Sequence, residues 1–212
     1  MICKNLFSGI CALTLINESL EDENLKKYKK LKINSKKSIQ KSDLPPEFSD
    51  LAFKTINEFI KKTANLNFEC AIFFDYITGK ILKCAFGDAK HVSLHYDETE
   101  FIGKHVASIH NHTKTILNPP SEKNFNILLR PFEDYELIAG QDSLWILKAK
   151  GTNKYLAEDL NRSALILKGI SEKFSKEESR EDELYGTMLL NYINNKDITD
   201  IQLNKREYTY EK

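Results

Sequence analysis

Cysteine is scarce and scattered in this 212-residue chain: Cys3, Cys11, Cys70 and Cys84 form no C-x-x-C pair. Neither a cysteine-rich zinc site nor a dithiol redox motif is legible, and small buried thiols in a reducing, cytoplasmic setting are expected. Glycine is sparse too, with eight residues, and none builds a phosphate-cradling loop. No nucleotide, flavin or haem cofactor is indicated. Neither sign of charge dominates, since 31 Lys and Arg balance 31 Asp and Glu. The global positive field of a general nucleic-acid binder is therefore missing, and nucleic acid is not the expected partner. Long apolar runs are also lacking: Leu6 to Ile16 is too short to span a bilayer, is broken by Ser8 and Gly9, and has no clear small-x-small cleavage site. A buried helix or strand is expected there, with no membrane span.

What the chain does have is a 41% hydrophobic content, enough to bury one core of enzyme size without crosslinks. Residues 1–43 read as an N-terminal extension, because Lys26 to Lys41 is rich in lysine, poor in apolar residues and has the composition of a solvated arm. Leu44-Pro45-Pro46 then punctuates the chain. Ser49 or Asp50 can cap a helix over about 48–63, whose Phe48, Leu51, Ala52, Thr55, Ile56, Phe59 and Ile60 recur on one face.

Two strands follow, Asn67 to Phe74 and Ile81 to Phe86, with Ile77-Thr78-Gly79-Lys80 as their turn. His91 to Leu94 is expected to continue the edge of that sheet, and the polar stretch Tyr96 to Gly103 to rim a cleft. His105 to Ile109 predicts a further strand, Ser121 a helix start after Asn118-Pro119-Pro120, and Tyr135 to Ala139 with Leu144 to Ala149 a hairpin. Residues 44–150 thus form an α/β layer with a central mixed sheet flanked by helices. Residues 151–212 read as a helical extension, with apolar periods at Leu156, Leu160, Ala164 and Leu167 and at Leu184, Met188, Leu189 and Ile193. The last fifteen residues show no period. The C-terminal helices could pair with a second subunit.

The chemistry concentrates at His110-Asn111-His112 and at Ser121-Glu122-Lys123-Asn124. Along a strand side chains alternate, so His110 and His112 face the same way and Asn111 faces the other. Two imidazoles on one face can share a zinc ion, whose hydrolytic sites take three protein ligands and leave a position for water.

This pattern, a strand ending in His-x-His, a proline-containing loop and Ser-x-x-(Asp/Asn) at a helix start, resembles the JAB, or JAMM/MPN-type, zinc metalloproteases. The texture is that of the prokaryotic and phage-associated, RadC-like branch that reads His-Asn-His. The resemblance covers about residues 48–150 and implies a cytidine-deaminase-like JAB/MPN domain. It implies His110, His112 and Asn124 as zinc ligands, Glu69 as general base, with Asp75 the next choice, and Ser121 as a donor to the developing oxyanion. Thr113 replaces the family's usual proline, the loop to Ser121 is slightly longer, and Asn124 stands where the family has an aspartate.

The neutral amide leaves three outcomes open. Asn124 ligates weakly, an acid such as Asp97, Glu98, Glu100 or Glu133 substitutes, or the metal is lost. The resemblance accordingly implies a zinc-dependent peptidase or isopeptidase acting on a protein or peptide, including a ubiquitin-like modifier on lysine. The alternative is a catalytically inactive JAB-like scaffold that has lost the aspartate ligand. Without that context, His110 and His112 read as polar residues at a strand end and Ser121 as a helix cap.

Overall fold

The computed structural model describes residues 23–113, 118–175, 178–196 and 198–210. Six strands form one sheet in the order β3-β2-β4-β5-β6-β7: β2 (Cys70–Asp75), β3 (Ile81–Phe86), β4 (Val106–Asn111), β5 (Glu133–Ala139), β6 (Ser143–Ala149) and β7 (Ile201–Glu207). All neighbours run antiparallel except β4 and β5. A parallel pair needs a long crossover, and residues 112–132 supply it. That crossover carries Ser121 and Asn124, so the topology itself returns them toward the histidine strand.

Each face of this mixed sheet is covered. On one side lie the helices α1 (residues 23–30) and α2 (Asp50–Thr63), with Ile56, Phe59 and Ile60 of α2 buried against Ile72, Phe74, Ile109 and Leu137. Each such side chain contributes about 1.5–3 kcal/mol on burial. Ser49 caps α2 by accepting the Ala52 N–H. Leu51, expected on the packed face, is exposed, because it sits in the opening turn beside Gly79. A Cβ at Gly79 would lie 2.6 Å from the Leu51 carbonyl carbon, and its φ of +70° is a left-handed conformation that glycine supports. On the other side α3 (Lys154–Phe174), α4 (Glu178–Asn195) and the 3-10 segment Glu122–Leu129 pack on Ile138, Trp145 and Leu147. Gly186 lets α4 approach closely, since a Cβ there would meet the Trp145 ring at 2.9 Å.

Several expectations are corrected. The lysine-rich segment is no free arm: Tyr28 is buried and stacks on Phe59 at 6.1 Å, Ile39 is buried, and β1 (Lys37–Ser38) pairs with β8 (Thr209–Tyr210). Lysine stems and ammoniums stay outside while one aromatic and one isoleucine anchor the segment, too few for a periodic signal. His91 to Leu94 is a loop, not an edge strand, and the segment after Ser121 is 3-10 rather than α-helical. The C-terminal stretch, which shows no period in the sequence, supplies edge strand β7, with alternating buried Ile201 and Leu203. Leu6 to Ile16, Cys3 and Cys11 lie outside the described residues; Cys70 and Cys84 are free and buried. Among the described residues no helix is long and apolar enough to cross a membrane.

Candidate functional site

On the face that presents His110, α3, α4 and the 3-10 segment cover only part of the sheet. There the chain leaves a cleft of about 600 Å³. Its floor is Ala71, Phe73, Ser108, His110 and Glu136, and its walls are the Lys90–Leu94 loop, the 3-10 segment and Lys168 of α3. Glu69, His112, Ser121 and Asn124 line it as well. The cleft lies at the carboxyl end of β4, beside its one parallel neighbour, where open α/β sheets commonly place ligands.

The histidine strand explains the geometry. Ala71 pairs with His110, and Glu69 and His112, each two residues beyond that pair, both line the cleft. Asn111 faces away and is buried; its carboxamide accepts the Cys70 N–H at 2.7 Å and donates to the Phe68 carbonyl at 3.2 Å. The residue between the histidines thus clips their strand to the start of β2, on either side of Glu69.

His110 Nε2 and His112 Nε2 lie 3.3 Å apart, with the rings tilted by 53°. Two nitrogens bound to one tetrahedral zinc at about 2.0–2.1 Å stand about 3.3–3.4 Å from each other. The same spacing lets one ring donate its N–H to the other's lone pair. Burial, then the charge of Arg130, depress the pKa of His110 to about 4, so it is neutral at physiological pH and its contact with Glu136 is not an ion pair. Glu136 Oε1 stands 3.6 Å from His110 Nδ1, on the side of the ring away from His112.

Asn124 is held from both ends. Its oxygen accepts the Ser121 N–H at 2.7 Å and the Ser121 hydroxyl at 3.0 Å, while its amide nitrogen donates to Glu136 Oε1 at 2.7 Å and lies 3.5 Å from His110 Nε2. The neighbours dictate this orientation, because the reverse would set the amide oxygen against a carboxylate. The imidazole pair therefore fits a zinc ion, whereas the Asn124 oxygen is committed to Ser121. Among the described residues no group of three or more His, Cys, Asp or Glu side chains is placed to hold a metal.

Glu69 is 5% exposed. Burial and the nearby Asp88 raise its pKa to about 7, against the Val92 N–H and Lys123, which favour the carboxylate. A carboxyl poised near neutrality suits proton transfer at working pH. Asp75 sits at the far end of β2, where it accepts the Ile77 and Thr78 N–H groups and does not line the cleft. Of the other acids considered above, Asp97 caps its own turn, Glu100 pairs with Lys83, and Glu133 accepts from Ser108 and pairs with Arg130.

Glu136, Arg130 and Ser108 belong to the site but carry no motif. The alternation of β5 gives the one available signal, since Glu136 falls on the same face as Ile138, where an acid must find a partner. Comparison with family profiles, with curated proteins and with solved structures finds no match to this chain.

Exchanging Asn124 for Asp tests how that amide is used. The new carboxylate would face Glu136 where an N–H now donates, so without metal N124D is expected to lose about 1–3 kcal/mol of stability. Added zinc is expected to restore its melting temperature and bind more tightly than to the natural chain. Equal zinc affinity in both proteins would place position 124 outside any metal site.

Proposed function

We propose that this cleft is the site of a zinc-dependent amide hydrolase, a peptidase or isopeptidase of the kind the JAB/MPN resemblance implies. The observation that carries the proposal is the convergence of two imidazoles at 3.3 Å on a cleft that also holds Glu69. His110 and His112 would hold the ion, with Asn124 at its edge. When bound, zinc lowers the pKa of water toward about 7 and polarises a carbonyl.

The chain's own groups supply the rest. Glu69, titrating near 7, takes a proton from the attacking water and returns it to the leaving amine. Ser121 stands at the cleft with a hydroxyl able to turn from Asn124 toward the carbonyl oxygen and donate to it as charge develops. Glu136 orients His110, and Arg130 and Asn124 orient Glu136.

The test is metal content and turnover together. The purified protein is expected to take up about one zinc and to hydrolyse peptide or isopeptide amides, and His110→Ala to lose both. A folded, zinc-free protein that cannot be reloaded would sink the proposal.

The commitment of the Asn124 oxygen to Ser121 favours a second reading, a JAB-like binding module that no longer turns over. The exposed Leu165, Ile166 and Phe174 of α3 then offer a face for a partner or a second copy. Activity gained by N124D would support this second reading.

A further inference from the structure

The charges around the cleft are uneven in a chain whose total is zero. Three lysines line it from three separate elements: Lys90 from the loop after β3, Lys123 from the 3-10 segment and Lys168 from α3. Among the described residues none of these ammonium groups has an ion-pair partner. The lining cation that is paired, Arg130, is spent on Glu133 and Glu136. Of the lining acids, Glu136 is neutralised by Arg130, and Glu69, which feels the charge of Lys123, is only partly ionised near neutral pH, which leaves Glu122 as the remaining wall carboxylate.

Three unpaired cations against one wall carboxylate, around a concave site with low-dielectric sides, concentrate a positive field in the cleft. Such a field recruits anionic chains and repels cationic ones, and it weakens with salt. The Leu94 and Leu129 side chains beside it supply apolar surface for a peptide backbone and small side chains.

We propose that the cleft selects acidic peptide segments, with Asp or Glu flanking the amide presented to Glu69, Lys90, Lys123 and Lys168 being the residues that set this specificity. The proposal rests on the hydrolase reading for the role of Glu69. A peptide is favoured over a nucleic acid because the cations ring one compact cleft and do not track along a groove, and the lining aromatics, Phe73 and Tyr96, pack against Phe101 and Phe132 instead of standing free for base stacking.

Binding to the Glu69→Gln protein, which should not cleave, separates the two proposals. Fluorescence anisotropy would use two labelled peptides of about ten residues, alike except for Glu or Lys at alternate positions, and a single-stranded DNA of similar length, all at about 50 mM salt. The acidic peptide is expected to bind at least tenfold tighter than the basic one, with the advantage falling as salt rises. Lys90→Glu/Lys123→Glu/Lys168→Glu should abolish the preference, and Lys168→Glu alone should weaken the acidic peptide about threefold. Equal affinity for the two peptides, no measurable binding of the acidic one, an unchanged preference in both variants, or tighter binding of DNA would each overturn the proposal. None of those results bears on zinc uptake or on hydrolysis of uncharged amides, so the failure of one proposal is distinguishable from the failure of the other.

Discussion

Replacing Arg130 by Met is expected to lower the unfolding free energy by about 3–5 kcal/mol at pH 7 and above. The guanidinium bridges two carboxylates, with Nη1 at 2.9 Å from Glu133 and Nη2 at 2.5 Å from Glu136. Both acids are almost fully buried, and Glu133 also accepts the Ser108 hydroxyl. Burial already holds the Glu133 pKa up to about 7 despite Arg130. Without the cation both groups must either ionise in a poor dielectric or bind protons.

That choice fixes the pH signature. Below about pH 4.5 Glu133 is protonated whether the chain is folded or not, so the deficit of R130M should shrink. It should grow as pH rises and the unfolded chain ionises freely. Adding Glu133→Gln and Glu136→Gln is expected to recover most of the lost stability at pH 8, because no buried charge is then stranded. A deficit under about 1 kcal/mol that does not change with pH would show that water reaches the network and solvates it. On the proposed zinc reading, R130M is also expected to weaken zinc binding, because Arg130 holds the Glu136 carboxylate that lies 3.6 Å from His110 Nδ1.

The parts of this molecule that were legible in the sequence are those with a period or a breaker. Ser49 and the apolar stripe of α2 follow the rules of helix capping and amphipathicity, and Gly79 and the Gly140–Asp142 connection follow those of turns. Alternation alone placed His110 and His112 on one side of the strand, which in the structure ends at Asn111, and both line the cleft. What escaped has a common physical origin in contacts between residues far apart in sequence. Tyr28 reaches Phe59, and Glu136 draws its meaning from Asn124, Arg130 and His110. β7 is only half-buried, with Ile201 and Leu203 alone inward, so its four polar terminal residues conceal the strand pattern. Asn124 was legible as a departure from a family's acid, but its consequence was not. Only the partners of the amide show that its oxygen serves Ser121 and its nitrogen serves Glu136.

Glu69→Gln is expected to move activity and stability in opposite directions. As the proposed proton shuttle, Glu69 should contribute about 10²–10⁴ to turnover, and glutamine, which fills the same space, cannot accept the proton. Activity of the natural chain should rise through pH 7 as the carboxyl ionises. Stability follows the opposite sign. The folded pKa lies above the ordinary 4.5, so the folded chain retains a proton that the unfolded chain releases between those values. Folding is therefore unpenalised below about pH 4.5, loses stability as pH climbs toward 7, and carries the full penalty above it. Discounted for the solvent that enters the cleft, that penalty is on the order of 2 kcal/mol, and E69Q should regain it at pH 8 while matching the natural chain at pH 4. Denaturant melts at the two pH values decide the matter. A variant that is inactive yet no more stable at pH 8 would mean that Glu69 is fully solvated and not tuned by its surroundings. One that is more stable but equally active would retain the buried carboxyl and remove it from catalysis.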